Sequence, residues 1–214
     1  MSDAAEALAK VIRGRRMTRR FAGDPVAEEL VSELLGYALR APSAGFTQAV
    51  SLVVLTGSRV RRFWAVSALP RGVNPQQLVS EPPNAWLAGM MTAPVLVLVW
   101  TDRDAYVTRY AEPDKGWGPE LEHQPWSAPY WWVDAGMAVQ NVLLGAQAHG
   151  LGACFFGVPP DRADAVRREF GVPSEQLSVG AIALGWPADE PGAAGSPRRR
   201  VRRDAAELIH EETW

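Results

Sequence analysis

The sequence holds a single cysteine, Cys154, in 214 residues. No disulfide can form within the chain, so a stapled secreted scaffold is excluded and a reducing cytoplasm is the expected compartment. Long apolar runs are missing too. The longest candidate, Ala93 to Trp100, falls far short of the roughly 20 residues that a membrane-spanning helix needs. The opening MSDAAEALAKVIRGRR has no apolar stretch of the signal-peptide kind, so export is not expected. Net charge is only −2, and no global field draws the chain to nucleic acid or to a membrane. Lysine is nearly absent: Lys10 and Lys115 are the only two, and the remaining cations are arginines.

Several chemistries are excluded in the same way. There is no GxSxG, no HExxH, no GxxxxGK[ST] and no Cys-x-x-Cys. His123, His149 and His210 are too scattered to suggest a metal site. Gly150-Leu151-Gly152-Ala153-Cys154-Phe155 has the look of a dinucleotide fingerprint, but it lacks the last glycine, follows a helix and enters a strand. A nucleotide-binding turn of that kind runs from strand to helix.

What is present suits one globular domain over 1–214, with 47% hydrophobic and 21% charged residues. Leu8, Val11 and Ile12 place a helix over Asp3 to Gly14. Asp24 and Pro25 read as a cap and first turn before a second helix, with Val26, Leu30, Leu34 and Ala38 on one face and Pro42 closing it. Strands are expected at Ser51–Thr56, Pro94–Thr101, Ala153–Val158 and Leu177–Gly185, the second apolar on both faces and therefore central. Further helices fit 59–69, 84–91 and 160–170. Tyr130 to His149 is a helix apolar nearly all round, and its small residues permit close approach of another helix. Residues 103–129, rich in Pro, Gly and Trp, read as a loop or lid insertion, and 189–197 as a linker to a C-terminal arm. Helices and strands mix without strict alternation, so the class is α+β or mixed α/β.

Three segments are candidates for chemistry. Arg15-Arg16-Met17-Thr18-Arg19-Arg20 places four guanidinium forks and a hydroxyl in six positions, a set able to cradle a phosphate. Taken alone it is better read as a solvated basic turn at a helix C-terminus. Arg198 to Arg203 has five arginines in six residues, which taken alone is a solvated tail or a nucleic-acid arm; the acidic overall balance disfavours the latter. Ala41-Pro42-Ser43-Ala44-Gly45-Phe46-Thr47-Gln48 joins a helix to a strand with residues small enough for a ligand to approach the backbone.

In order along the chain, RRMTRRF, APSAGFTQ, DAGMAVQNVLLGAQAHGLGACFFG, VPSEQLSVGAIALGWP and RVRRDAAELIHEETW resemble the signatures of the nitroreductase family of FMN flavoproteins. The resemblance implies an α+β fold with a central mixed sheet flanked by helices, and a domain-swapped homodimer with two FMN sites at its interface. It implies FMN phosphate and ribityl contacts from Arg15, Arg16 and Arg19, joined by Arg200 and Arg202, so that both arginine clusters converge on one dianion. Arg19 would reach the pyrimidine edge of the flavin. Pro42, Ser43 and Ala44 would come from the partner subunit. Phe155, Phe156 and Gly157 would line the ring, with a backbone N–H near Gly157 facing N5. No side chain is singled out as catalytic.

Met17 and Phe46 complete the cofactor-binding set that the resemblance implies, and both depart from the family pattern: Met17 stands where a serine is usual and Phe46 where an asparagine is usual, while Ala49-Val50 replace the usual Pro-Trp. The implied activity is transfer of two electrons from NAD(P)H, through FMN, to a nitroaromatic, quinone or other conjugated acceptor. The alternatives are a specialised FMN chemistry on the same scaffold (dehydrogenation of a biosynthetic intermediate, or flavin fragmentation) and a non-catalytic FMN-sequestering protein. Trp117, Trp126, Trp131 and Trp132 are candidates for stacking on a planar substrate, and equally for packing at a core or interface.

Overall fold

The computed structural model describes residues 2–68, 82–115, 126–190, 192–195 and 200–214. Trp117 and His123 lie outside them. Among the described residues are seven α-helices and four strands: α1 (Asp3–Gly14), α2 (Glu28–Ala38), β1 (Val50–Thr56), α3 (Ser58–Ser67), α4 (Ala85–Met90), β2 (Val95–Thr101), α5 (Arg103–Tyr110), α6 (Tyr130–Ala148), β3 (Gly152–Phe156), α7 (Pro160–Glu169) and β4 (Leu177–Gly185).

The strands form one sheet in the order β1-β2-β4-β3, with every pairing antiparallel. The parallel component is the bridge between Met17 and Ala153 at the β3 edge. β2 is the axis of the molecule. All seven of its residues are buried, because their alternating side chains enter two separate cores. Leu96, Leu98 and Trp100 face Phe63, Trp64 and Met90. Val95, Val97 and Val99 face Leu34, Val142 and Ala146. Helices therefore cover both faces, α3 and α7 on one, α6 with α2 beyond it on the other.

The close approach expected of the small residues in α6 is realised at Gly145. A β-carbon there would sit 2.6 Å from Tyr37 Cδ2 and 2.8 Å from Leu34 Cδ2, so only hydrogen lets α2 lie this near.

Three expectations need correction. The second helix begins at Glu28, with Ala27 at its N-cap position and no side-chain cap. Gly23 takes φ +89, and Val26 is spent on the core rather than on a first helical turn. Within 103–129, read as an irregular insertion, Arg103–Tyr110 is helical, because the Asp102 carboxylate accepts from the N–H groups of Asp104 and Ala105 and so satisfies the orphan donors of a first turn. In the C-terminal arm, RVRRDAAELIHEETW resembles a family signature of basic residues followed by an acidic-apolar helix. It forms only the 3-10 turn Ala205–Glu207, capped by Asp204, and residues 200–214 are exposed throughout.

The polypeptide leaving β4 turns back along the basic segment. Phe21 bridges Pro187, Ala22 N–H donates to Trp186 O, and Ala188 N–H donates to Arg20 O. The three residues that lead into the expected 189–197 linker are thus fastened down. No helix among the described residues is long and apolar enough to cross a membrane.

Candidate functional site

The basic segment lies along the β3 edge of the sheet. Thr18 N–H donates to Ala153 O at 2.9 Å, and the Thr18 side chain occupies the space where Gly152 lacks a β-carbon, at 2.7 Å. Met17 is paired with Ala153, so the residue standing in place of the usual serine is fixed by backbone pairing rather than loose.

Its arginines are unevenly satisfied. Arg15 Nη1 is buried and has no hydrogen-bond partner. Arg16 Nη1 folds back onto the carbonyls of Arg13 (2.6 Å) and Arg15 (3.0 Å). Arg19 Nη1 donates to Met17 O at 3.2 Å. Among the described residues none of the three is in an ion pair; Arg20 alone in this segment has one, with Glu190, and it is exposed. A buried guanidinium N–H without an acceptor costs about 1–3 kcal/mol. Arg15, Arg16 and Arg19 are thus three cations close together in the chain with no carboxylate partner among the described residues. Arg19 also lies near the only thiol. Burial pushes Cys154 upward in pKa and the Arg19 charge opposes that shift, so Cys154 is a protonated packing residue.

Glycines let the chain close over Arg19. A β-carbon on Gly195 would lie 2.6 Å from Arg19 Nη1, and one on Gly192 would lie 2.6 Å from Arg19 O. Arg200 and Arg202, beyond this crossing, are exposed and in no ion pair among the described residues. The single chain therefore keeps Arg15, Arg16 and Arg19 along the β3 edge and leaves Arg200 and Arg202 in an exposed arm.

The end of the sheet where β3 leaves and β1 enters carries the other candidates. Phe155 and Phe156 point to opposite faces. Phe155 rests over Gly180, which has φ +147 and room only for hydrogen. Phe156 is stacked on Trp64 (5.4 Å between ring centres, 11° between planes) and meets Phe63 and Trp86 edge to face. It is bound into the core on the α3 face and does not share a surface with Phe155. Gly157 is exposed just beyond.

Pro42, Ser43 and Ala44 open a 3-10 turn over Ala44–Phe46. Gly45, Phe46 and Gln48 all have left-handed φ, at +64, +56 and +55. The turn leans on α5: a β-carbon on Gly45 would meet the Tyr110 ring at 2.7 Å, and Arg109 Nε donates to Gly45 O at 2.8 Å. Arg109 is itself clamped by both oxygens of Asp114. That hydrogen bond holds Asp114 below its ordinary range, against the desolvation that opposes it.

Of the tryptophans, Trp126 and Trp131 meet edge to face at 5.8 Å. Trp126 also packs on Tyr110 and Trp131 on Tyr106, while Arg103 lies over Trp131 at 5.8 Å. Both are engaged in packing around α5. Trp132 is exposed.

Sequence reasoning missed Asp134, Tyr106 and Arg109. Asp134 is 3% exposed; its Oδ2 accepts Ala44 N–H at 2.7 Å and the Tyr106 hydroxyl at 2.6 Å. Burial first, and then the Asp134 hydrogen bond, drive the Tyr106 phenol far above its ordinary pKa, while a hydrogen bond with Ser43 acts the other way. A cavity of about 650 Å³ at the opposite end of the sheet, lined by Thr56, Val60, Arg61, Trp64 and Val95 among others, contains none of these residues.

The model of the nitroreductase family matches residues 12–186. A protein of Methanothermobacter thermautotrophicus, provisionally named an NADH dehydrogenase/NAD(P)H nitroreductase, is 29% identical over 96% of this chain and 86% of its own. The 5,6-dimethylbenzimidazole synthase of Rhodospirillum rubrum is 30% identical over 82% of this chain and 80% of its own. A provisionally named nitroreductase from Desulfovibrio desulfuricans, solved in complex with FMN, superposes with a TM-score of 0.67 at 26% identity, covering 97% of each chain.

Proposed function

Since this chain belongs to the nitroreductase family, we propose that it is an FMN-dependent oxidoreductase passing two electrons from NAD(P)H to a nitroaromatic, a quinone or a similar conjugated acceptor. The observation that carries the cofactor assignment is the orphaned, buried Nη1 of Arg15, set among cations that lack acidic partners. Guanidinium forks of this kind match the geometry of a phosphate dianion, and the FMN phosphate meets that demand. Bound FMN supplies the two-electron chemistry. The chain's own part is to bind and orient. Arg15 and Arg16 would hold the phosphate, and Arg19 would place positive charge at the pyrimidine edge and so favour the reduced flavin. The exposed backbone at Gly157 would offer an N–H to the ring, and Phe155 an apolar wall.

The working unit is a homodimer in the cytoplasm. Val201 is 96% exposed and Trp214 fully so, with Leu208 and Ile209 also out in solvent. An arm of this kind has no cover in a single chain, and a second copy provides it while bringing Arg200 and Arg202 to the phosphate. Pro42, Ser43 and Ala44 then face the flavin of the opposite subunit. Trp132 at the exposed start of α6 is available to a planar substrate; Trp126 and Trp131 serve it indirectly, as packing behind the loop.

A second reading is supported by the likeness to 5,6-dimethylbenzimidazole synthase: a specialised chemistry on the flavin or on a biosynthetic intermediate. Anaerobic addition of NADH or NADPH to the purified protein separates the two. Flavin absorbance that bleaches, and returns on adding a nitroaromatic or quinone, is the expected result. Flavin that binds but resists both pyridine nucleotides favours the specialised or sequestering reading. A chain that takes up no FMN overturns the assignment.

A further inference from the structure

The 43–48 loop is braced by two hydrogen bonds within itself and fastened to the rest of the molecule by two more. Ala44 N–H donates to Asp134 Oδ2 at 2.7 Å, and Gln48 N–H to Ser43 Oγ at 2.9 Å. The Thr47 hydroxyl donates to Ala44 O at 2.6 Å, and Arg109 Nε to Gly45 O at 2.8 Å. The first anchor runs into the interior. Asp134 is buried, and its second donor is Tyr106, whose ring is wholly buried. Taking a carboxylate out of water is expensive unless its oxygens are hydrogen-bonded. Here a single oxygen accepts from one loop N–H and one phenol.

What the scaffold presents is Phe46. Its backbone is left-handed and its side chain is 77% exposed. For a bulky residue with a β-carbon, that backbone costs about 1–2 kcal/mol, and an exposed ring recovers nothing by burial. Phe46 is therefore neither a core residue nor part of a slack loop. Strain held rigidly at one point is characteristic of ligand clamps.

We propose that Phe46 is a specificity-determining residue of the flavin site, carried across the dimer interface to lie against a planar aromatic acceptor, and that Asp134 and Tyr106 are the positioning pair that presents it. The substrate class follows: flat, electron-poor rings, favoured over non-aromatic molecules of equal charge and size. This inference rests on the FMN-dimer reading above.

The test uses the flavin-loaded, oxidised dimer and needs no turnover. 4-Nitrobenzoate and cyclohexanecarboxylate carry the same charge, and each is titrated while the flavin absorbance shift is followed. The wild type is expected to prefer the nitrobenzoate, F46A to lose about tenfold of that preference, and F46Y to keep it. Y106F, still folding cooperatively, is expected to reproduce most of the F46A loss. D134N, which keeps the shape of the side chain, serves as the second variant should Y106F not fold.

An F46A dimer with an unchanged preference overturns the proposal, and so does an F46A chain that loses FMN altogether, since Phe46 would then be a cofactor residue. Folded Y106F and D134N dimers with wild-type preference remove the positioning role. A wild-type chain that binds no FMN fails earlier and differently, by giving no flavin signal to titrate.

Discussion

In the proposed reading, Arg15 is the residue on which cofactor choice turns. Its buried Nη1 lacks an acceptor, so an incoming phosphate gains a charge-assisted hydrogen bond without displacing an existing one. Arg15→Met keeps the apolar stem and removes the fork. Loss of a hydrogen bond to a charged group is worth about 1.5–3 kcal/mol. The expected result is an FMN dissociation constant raised by roughly tenfold to a hundredfold, with riboflavin, which has no phosphate, bound as before. Fluorescence titration of both flavins against both proteins measures it. Equal losses for FMN and riboflavin would mean that Arg15 does not hold the phosphate.

Tyr106 sets a pH dependence of its own. Its folded pKa is raised, by burial first and then by Asp134, so the fold favours the protonated phenol. That stability is complete below about pH 10, the ordinary tyrosine value, and is lost as pH rises through the folded pKa. Urea unfolding between pH 8 and 11 should therefore show a steeper alkaline decline for wild type than for Tyr106→Phe. Arg15 could be picked out from the sequence because its neighbours are other arginines. Asp134 and Tyr106 could not: their partners lie 28 and 90 positions away, and neither stands in a motif.

Among the elements, two glycines carry the consequences of close packing. At Gly145 a methyl group would press on Tyr37 and Leu34, where α2 crosses α6. Overpacking a tight contact costs about 1–3 kcal/mol, so Gly145→Ala should lower the urea midpoint with an unchanged slope. Gly89 in α4 would place its β-carbon 2.0 Å from Arg19 O. Backbone cannot yield as a side-chain tip can, so Gly89→Ala should push the basic segment outward. The expected result is weaker FMN binding from a residue with no ligand contact, which equilibrium dialysis detects.

Elements with a clean period were legible in the sequence. The bounds of α1 and β4 agree residue for residue with expectation, and the two-faced burial of β2 followed from PVLVLVWT. The misreadings have local causes. Asp24-Pro25 imitates a helix start, yet the turn at Gly23 delays the helix until Glu28. Asp102 is a sound N-cap, but the density of Pro, Gly and Trp beyond it drew α5 into an apparent loop. The acidic-apolar tail has the composition of a helix and no neighbour in the single chain to pack against, and most helical stability comes from such packing.

At the scale of the whole molecule, the large apolar side chains left in solvent among the described residues include Phe46, Trp132, Val133 and Trp186 singly or in pairs, and two larger groups: the C-terminal arm, and α1 with the end of α2, where Leu8, Ile12 and Leu39 are each more than half exposed. Isolated exposed apolar residues are ordinary, but grouped ones mark an interface. Sedimentation of the full chain should give a dimer at micromolar concentration. A chain ending at residue 199 should sediment closer to the monomer and bind FMN more weakly, because in the proposed dimer the arm supplies both the cover and Arg200 and Arg202. A truncated chain that stays dimeric and yellow would place the interface elsewhere.

The strand order has a further consequence, for how the molecule is made. β4 follows the other three strands in the chain but sits between β2 and β3. Until residue 185 has left the ribosome, β2 can pair only with β1, and β3 has no strand beside it. For that interval the most apolar strand of the molecule has an open edge, the condition in which strands recruit one another. A stalled or prematurely terminated nascent chain is thus a sticky species, and its burden on chaperones ends only when the final strand slots into the gap.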